Sequence, residues 1–145
     1  MDIIENKYLV VKTRYPERIT ETIEDSVVLG ENQGVHAVAV NWTLEDAQKL
    51  KRLKFKNVPS PIIRDYKWPG VYPPMEHQRD TASFLTTSKR SFCFNEQGTG
   101  KTAAAIWASD YLLAQGKVNR VLIVCPLSIM QSAWQADLFK FATHR

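Results

Sequence analysis

Apolar and polar positions along this chain change period several times, and each change predicts an element. Between positions 8 and 40 the apolar residues come in short runs: Tyr8-Leu9-Val10-Val11-Lys12-Thr13, Ser26-Val27-Val28-Leu29-Gly30 and Val35-His36-Ala37-Val38-Ala39-Val40. Such runs, bounded by turn formers, read as strands, and the polar Gly30-Glu31-Asn32-Gln33-Gly34 suits an antiparallel connection. The period then lengthens. Leu44, Ala47, Leu50 and Leu53 make a helical stripe, with Thr43 as N-cap and Asp46 three residues on. From Asn57 to Pro74 prolines stand at 59, 61, 69, 73 and 74, with Gly70 among them, which excludes a continuous helix or a central strand. Helical spacing resumes from Met75 to Leu85, entered through Pro73-Pro74. A β-type run, Ser91-Phe92-Cys93-Phe94, precedes an alanine-rich helical stretch from Ala103 to Ala114, with Gly116 suited to the C′ position. Val121-Leu122-Ile123-Val124-Cys125 has no alternation and reads as a strand buried on both faces of a parallel sheet. Pro126 stops it, Ser128 can N-cap the next helix, and that last helix spans Ile129 to Phe141.

The expected organisation is a small α+β module over 1–60, a proline-rich linker over 61–74, and a phosphate-loop α/β domain with a parallel sheet from 75 to 145. Trp107 and Tyr111, four apart on the alanine-rich helix, read as core. Tyr66, Trp68 and Tyr72 in the linker read as aromatics packing back on a neighbouring domain, with base stacking the less common alternative.

Composition narrows the class. The 145 residues are 44% hydrophobic and 23% charged, which is a globular composition. No apolar run approaches the roughly 20 residues that span a bilayer, and the acidic start Met1-Asp2-Ile3-Ile4-Glu5 is no secretory signal. A cytoplasmic protein without a membrane partner is expected. Cys93 and Cys125 stand in separate apolar runs, as buried reduced thiols would, and neither has a neighbour at metal-ligand spacing. The net charge of +4 is uneven: residues 1–60 carry nine basic and nine acidic side chains, so the excess lies with the second part and fits an anionic ligand or nucleic acid. Within the first part, Lys49, Lys51, Arg52, Lys54 and Lys56 crowd the end of a helix. Complementation of the helix dipole and a solvated face account for them, and a phosphate-backbone patch is the sharper alternative.

The chemistry concentrates at Phe94-Asn95-Glu96-Gln97-Gly98-Thr99-Gly100-Lys101-Thr102. A glycine loop running into a helix can cradle a phosphate. Gly98 and Gly100 let backbone N–H groups approach an anion, and the helix N-terminus points its dipole into the same cradle. Lys101 would reach the β- and γ-phosphates of ATP, and the Thr102 hydroxyl would ligate Mg²⁺. Lys101 and Thr102 are therefore the catalytic candidates, and Gly98, Thr99 and Gly100 complete the phosphate site. The consensus glycine five residues before Gly100 is replaced by Asn95. An ordinary helix-capping glycine turn is the plainer reading, but a lysine in a first helical turn opposes the dipole unless an anion is near. Gln78, 23 residues before Lys101, carries a primary amide that can pair with adenine N6 and N7.

From about Pro73 to Ala142 the chain resembles the start of the motor of superfamily 2 helicases and translocases, in particular the Swi/Snf-like branch. His77-Gln78 is similar to that family's adenine-recognition element, and Asn95 to Thr102 to its Asp-Glu-x-Gly-x-Gly-Lys-Thr, which also lacks the first consensus glycine. Val124-Cys125-Pro126-Leu127-Ser128 resembles the next motif, with Trp134, Asp137 and Phe141 placed as in that branch. The resemblance implies a partial RecA-like domain and an ATP-binding portion of a DNA-dependent ATPase, with Pro126 and Ser128 touching a nucleic-acid backbone. It also implies an acidic pair on a later strand and an arginine from a second lobe. After Glu96 the only acidic residues are Asp110 and Asp137, so the chain looks like the front end of such a motor, incompetent for hydrolysis alone. The remaining lobes or another protein would be partners. A non-catalytic partner-binding protein that keeps a remnant of the fold is the alternative.

Overall fold

The computed structural model describes residues 1–144. They form two units that divide between Arg64 and Asp65. In the first, the elements are β1 (Asp2–Ile4), β2 (Tyr8–Thr13), α1 (Glu17–Thr20), β3 (Val27–Asn32), β4 (Val35–Asn41), α2 (Leu44–Arg52) and α3 (Ile62–Asp65), whose last residue opens the second unit. The strands make one antiparallel sheet in the order β1-β2-β4-β3. Leu9 lies opposite Val40 and Val11 opposite Val38, so alternate residues of the two central strands share a face. That face packs on Ala47 and Leu50 of α2 with Ile19, Ile23, Trp42 and Val58, all buried. Burial of this set is the main stabilisation of the unit.

Local signals explain the connections. Gln33 and Gly34 both have positive φ, 51° and 75°, which is the two-residue hairpin geometry that follows strand twist, so β3 and β4 run closer to the turn than the Gly30–Gly34 loop suggested. The Thr43 hydroxyl caps α2 by accepting from the Asp46 N–H at 3.1 Å, as the capping pattern requires. The Trp42 indole donates to the Pro59 carbonyl at 2.9 Å, and the Arg64 guanidinium lies 5.0 Å from the centre of its ring.

The second unit is helical: α4 (Glu76–Thr87), α5 (Lys101–Ala114), α6 (Leu127–Ile129) and α7 (Ala136–Phe141), with a π-helical segment, Met130–Gln135, between the last two. Its centre is α5. Trp107 packs edge-on against Trp68 and Phe141, with ring centres 5.5 and 5.3 Å away, and its indole donates to the Pro69 carbonyl at 2.8 Å. Tyr66 meets Tyr111 at 5.9 Å. Two of the three loop aromatics thus complete the core of their own unit, while Tyr72 is exposed.

The expected parallel sheet does not form. The four-stranded antiparallel sheet is the only one among the described residues, and a RecA-like parallel-sheet domain is not what this chain shows. Ser91–Phe94 and Val121–Cys125 form no strand and pair with none, although both have the composition of strands. A strand is stable only when its N–H and C=O groups find a ladder partner, and composition supplies none. With no sheet to bury them, Phe92 and Phe94 are 81% and 87% exposed, and Leu122 and Val124 are both 87% exposed. Cys93 and Cys125 are free and half-buried rather than core. Ser128 is not a cap. Pro126 holds that position, and the helix expected over Ile129–Phe141 is broken by the π segment; no residue of Leu127–Phe141 is fully buried. Among the described residues no helix is long and apolar enough to cross a membrane.

Candidate phosphate-binding site

The loop from Asn95 to Gly100 is held on three sides by its own unit. Gly98 and Gly100 adopt left-handed φ values of 80° and 74°, which glycine reaches without cost. Gly100 serves as the N-cap of α5 and has no side chain to satisfy the helix. A Cβ at Gly100 would meet the Gln78 amide nitrogen, the movable end of a flexible side chain, so it is the left-handed φ that calls for glycine there.

Helix α4 braces the loop from its first turns. His77 Nε2 and Gln78 Nε2 both meet the Thr99 carbonyl oxygen, at 3.1 and 3.3 Å. Gln78 Oε1 in turn accepts from the Met75 N–H at 2.9 Å, which caps α4 itself. Further along α4, Thr81 Oγ1 donates to the His77 carbonyl and accepts from Asn95 Nδ2 at 2.8 Å. Asn95, the departure from the glycine consensus, therefore ties the entry of the loop to α4 through a side chain that glycine lacks. Spacing alone gave no sign of that contact.

Lys101 folds back across the loop. Its ammonium donates to the Asn95 and Glu96 carbonyls at 2.9 and 2.7 Å, and Thr99 Oγ1 donates to the same Glu96 carbonyl at 2.8 Å. A cation in the first turn of α5, unfavourable against the dipole, is thus compensated by carbonyl dipoles. The backbone N–H groups behave differently. From Gly98 to Ala103 none donates to an acceptor among the described residues, and the first helical bond of α5 runs from Ala104 N–H to the Gly100 carbonyl. Only Ala103 of this run is buried; its neighbours are exposed or half-buried. Unsatisfied N–H groups beside a lysine ammonium form a cradle suited to an anion.

Gly98, Thr99, Gly100, Lys101, Thr102 and Gln78 are brought together, the first five by chain continuity and Gln78 by its bond to Thr99. Pro126 and Ser128 are not. They open α6, and no hydrogen bond joins them to the loop among the described residues. Among the described residues no group of three or more His, Cys, Asp or Glu side chains is disposed to hold a metal ion. The acidic residues after Glu96 are occupied elsewhere. Asp137 lies 3.6 Å from Lys140, and Asp110 is 2% exposed on the buried side of α5.

Asp110 is the centre that the sequence did not reveal. Its carboxylate accepts from the Tyr66 hydroxyl at 2.6 Å, the Thr143 hydroxyl at 2.7 Å, the Thr143 and His144 N–H groups at 3.0 and 2.7 Å, and meets His144 Nδ1 at 2.9 Å. Burial works against its charge, but the hydrogen bonds from Tyr66, His144 and Thr143 outweigh it and hold the acid below the ordinary aspartate value. Burial, together with the bond to Asp110, pushes the Tyr66 phenol well above its usual value. This cluster fastens both flanking segments to α5. It touches a groove of about 820 Å³ between α5, the irregular 119–124 stretch and α7, lined by Ile106, Leu113, Val121, Trp134 and Leu138 among others. No residue of the Asn95–Thr102 loop lines that groove, whose walls are largely apolar. No family model, curated protein or solved structure matches this chain.

Proposed function

We propose that the second unit binds ATP through the Asn95–Thr102 loop, as the nucleotide-binding portion of a nucleic-acid-dependent ATPase. One observation carries the reading: six successive backbone N–H groups, Gly98 to Ala103, lack acceptors at a helix N-terminus that also presents Lys101. An anion accepting from these groups offsets both their unmet hydrogen bonding and the misplaced lysine. Lys101 would exchange its two carbonyl partners for phosphate oxygens, a stronger charge-assisted pairing. Thr102, in the first turn of α5, would supply its hydroxyl to a nucleotide-borne Mg²⁺. Gln78 retains one N–H and one lone pair beyond its bonds to Thr99 and Met75, which is what pairing with adenine N7 and N6 requires. Contact with a DNA backbone near Pro126 and Ser128 is part of the same reading.

Hydrolysis is another matter. Orienting water and holding the metal call for acidic groups at the phosphates, and Asp110 and Asp137 are committed to other partners. The expected behaviour is weak nucleotide binding with negligible turnover. Isothermal titration of the chain with Mg-ATP tests the proposal: heat of binding that disappears in Lys101→Ala supports it. Absence of binding up to millimolar ATP, or equal binding by Lys101→Ala, removes it.

A second reading is favoured by the stacked Phe92 and Phe94 rings, 5.7 Å apart and turned outward. Exposed aromatics on a segment outside any sheet or helix are what a partner-binding protein presents. On that reading the titration with Mg-ATP shows no heat.

A further inference from the structure

Helices α2 and α5 end in the same way but with different residues, and the difference points to a ligand. At the end of α5 the Gly116 N–H donates to the Leu113 carbonyl and the Lys117 N–H to Leu112, both at 3.0 Å. At the end of α2 the Lys54 N–H donates to Lys51 at 3.1 Å and the Phe55 N–H to Leu50 at 3.2 Å. Both are the paired-bond helix stop whose C′ residue must be left-handed. Gly116 meets that demand with φ of 63°, whereas Lys54 meets it with φ of 72° and a side chain that makes the conformation costly.

Dipole complementation explains cations inside the last turn of α2 but not a lysine two residues beyond it in a glycine position. Lys54 is exposed, as are Arg52 and Lys56, and Arg18 reaches the same helix end by donating to the Leu53 carbonyl at 3.3 Å. No ion pair neutralises Arg52, Lys54 or Lys56 among the described residues, while Lys49 one turn back is neutralised by Glu45 at 3.1 Å and Asp46 at 3.7 Å. No acidic residue occurs between Asp46 and Asp65. Three cations without ion pairs thus stand within five residues at one helix end, with no acidic residue near them in the chain.

From this we infer that Arg18, Arg52, Lys54 and Lys56 form a binding surface for the phosphate backbone of a nucleic acid, separate from the nucleotide loop and independent of nucleotide. Exposed cations gathered at one helix end suit the anionic backbone of a polynucleotide, and each contact made releases a counterion. The surface reads no bases, so the binding is sequence-independent and steeply salt-dependent.

The test is titration of a fluorescent random-sequence DNA duplex with the full chain, without nucleotide, over a range of salt. Arg52→Gln/Lys56→Gln is expected to bind about tenfold more weakly at low salt and to lower the log–log salt slope by about 2. Lys54→Gly separates binding from folding. It is expected to melt a few degrees higher, because glycine suits the left-handed site, while binding the duplex several-fold more weakly. A Lys7→Gln/Lys12→Gln chain, with the same charge change elsewhere in the unit, should keep the parent slope. Equal loss in that control, an unchanged slope in Arg52→Gln/Lys56→Gln, or polyglutamate competing as well as duplex at equal charge would each overturn the inference, the last in favour of an acidic protein.

Discussion

Asp110 shows how much one side chain can organise. A carboxylate that is 2% exposed, with five hydrogen-bond contacts from three residues, cannot lose its charge or its shape cheaply. Asp110→Asn exchanges an acceptor-only group for one with two donors in the same place. It should cost about 2–4 kcal/mol in denaturant unfolding of the second unit. The pH dependence comes from the direction of the shift. An acid held below its ordinary value stabilises the fold above the unfolded pKa of about 3.9, and that contribution fades as pH falls through the lower folded value. Tyr66 acts at the other end: its raised pKa contributes below about pH 10 and is lost as alkali ionises the phenol. Thermal melts of the second unit should therefore fall less steeply below pH 4 in Asp110→Asn than in the parent. Asn95 makes a second residue-scale case. Restoring the consensus with Asn95→Gly removes the bond to Thr81 and should weaken Mg-ATP binding in calorimetry, by a few-fold, rather than improve it.

At the scale of elements, the parts legible in the sequence were those whose determinants are close along the chain. Thr43 and Asp46 start α2, Gly116 ends α5, and the alternation of Leu9, Val11, Val38 and Val40 specifies the sheet core. What could not be read depends on distant partners. The Asp110 cluster joins residues 44, 33 and 34 positions apart, and a mid-helix aspartate carries no local mark of them. The runs 91–94 and 121–125 have strand composition, yet composition says nothing about whether a neighbour exists to receive their hydrogen bonds. The glycine turn that opens α5 was legible, because Gly98, Gly100 and the helix they precede are contiguous, but its brace from Asn95 to Thr81 was not. Helix ends also give a test. Gly116→Ala forces a Cβ into a left-handed site and should destabilise the second unit by about 1 kcal/mol in denaturant titration.

At the scale of the whole molecule, two units with different architectures imply different local stabilities. Backbone amides of β2 and β4, paired on both sides within the four-stranded sheet, should resist hydrogen exchange to near the global unfolding free energy of the first unit. Amides of 91–94 and 121–125 lack such pairing and should exchange at rates close to those of an unstructured peptide. Protection of either run in the free chain, read by mass spectrometry, would contradict the unpaired arrangement.

Gln78 caps one helix with its oxygen and steadies the glycine loop with its nitrogen, and that double duty restricts what evolution can do at the position. Single-base changes in a glutamine codon lead to Glu, Lys, Arg, Leu, Pro or His. Glutamate has no donor when ionised, Lys and Arg have no acceptor, Leu and Pro have neither, and His carries both on a shorter, rigid ring. Every one-step path away from this residue loses either the cap or the brace. Drift at position 78 is confined to a valley with walls on each side, and the loop inherits that confinement although Gln78 lies outside it in the chain.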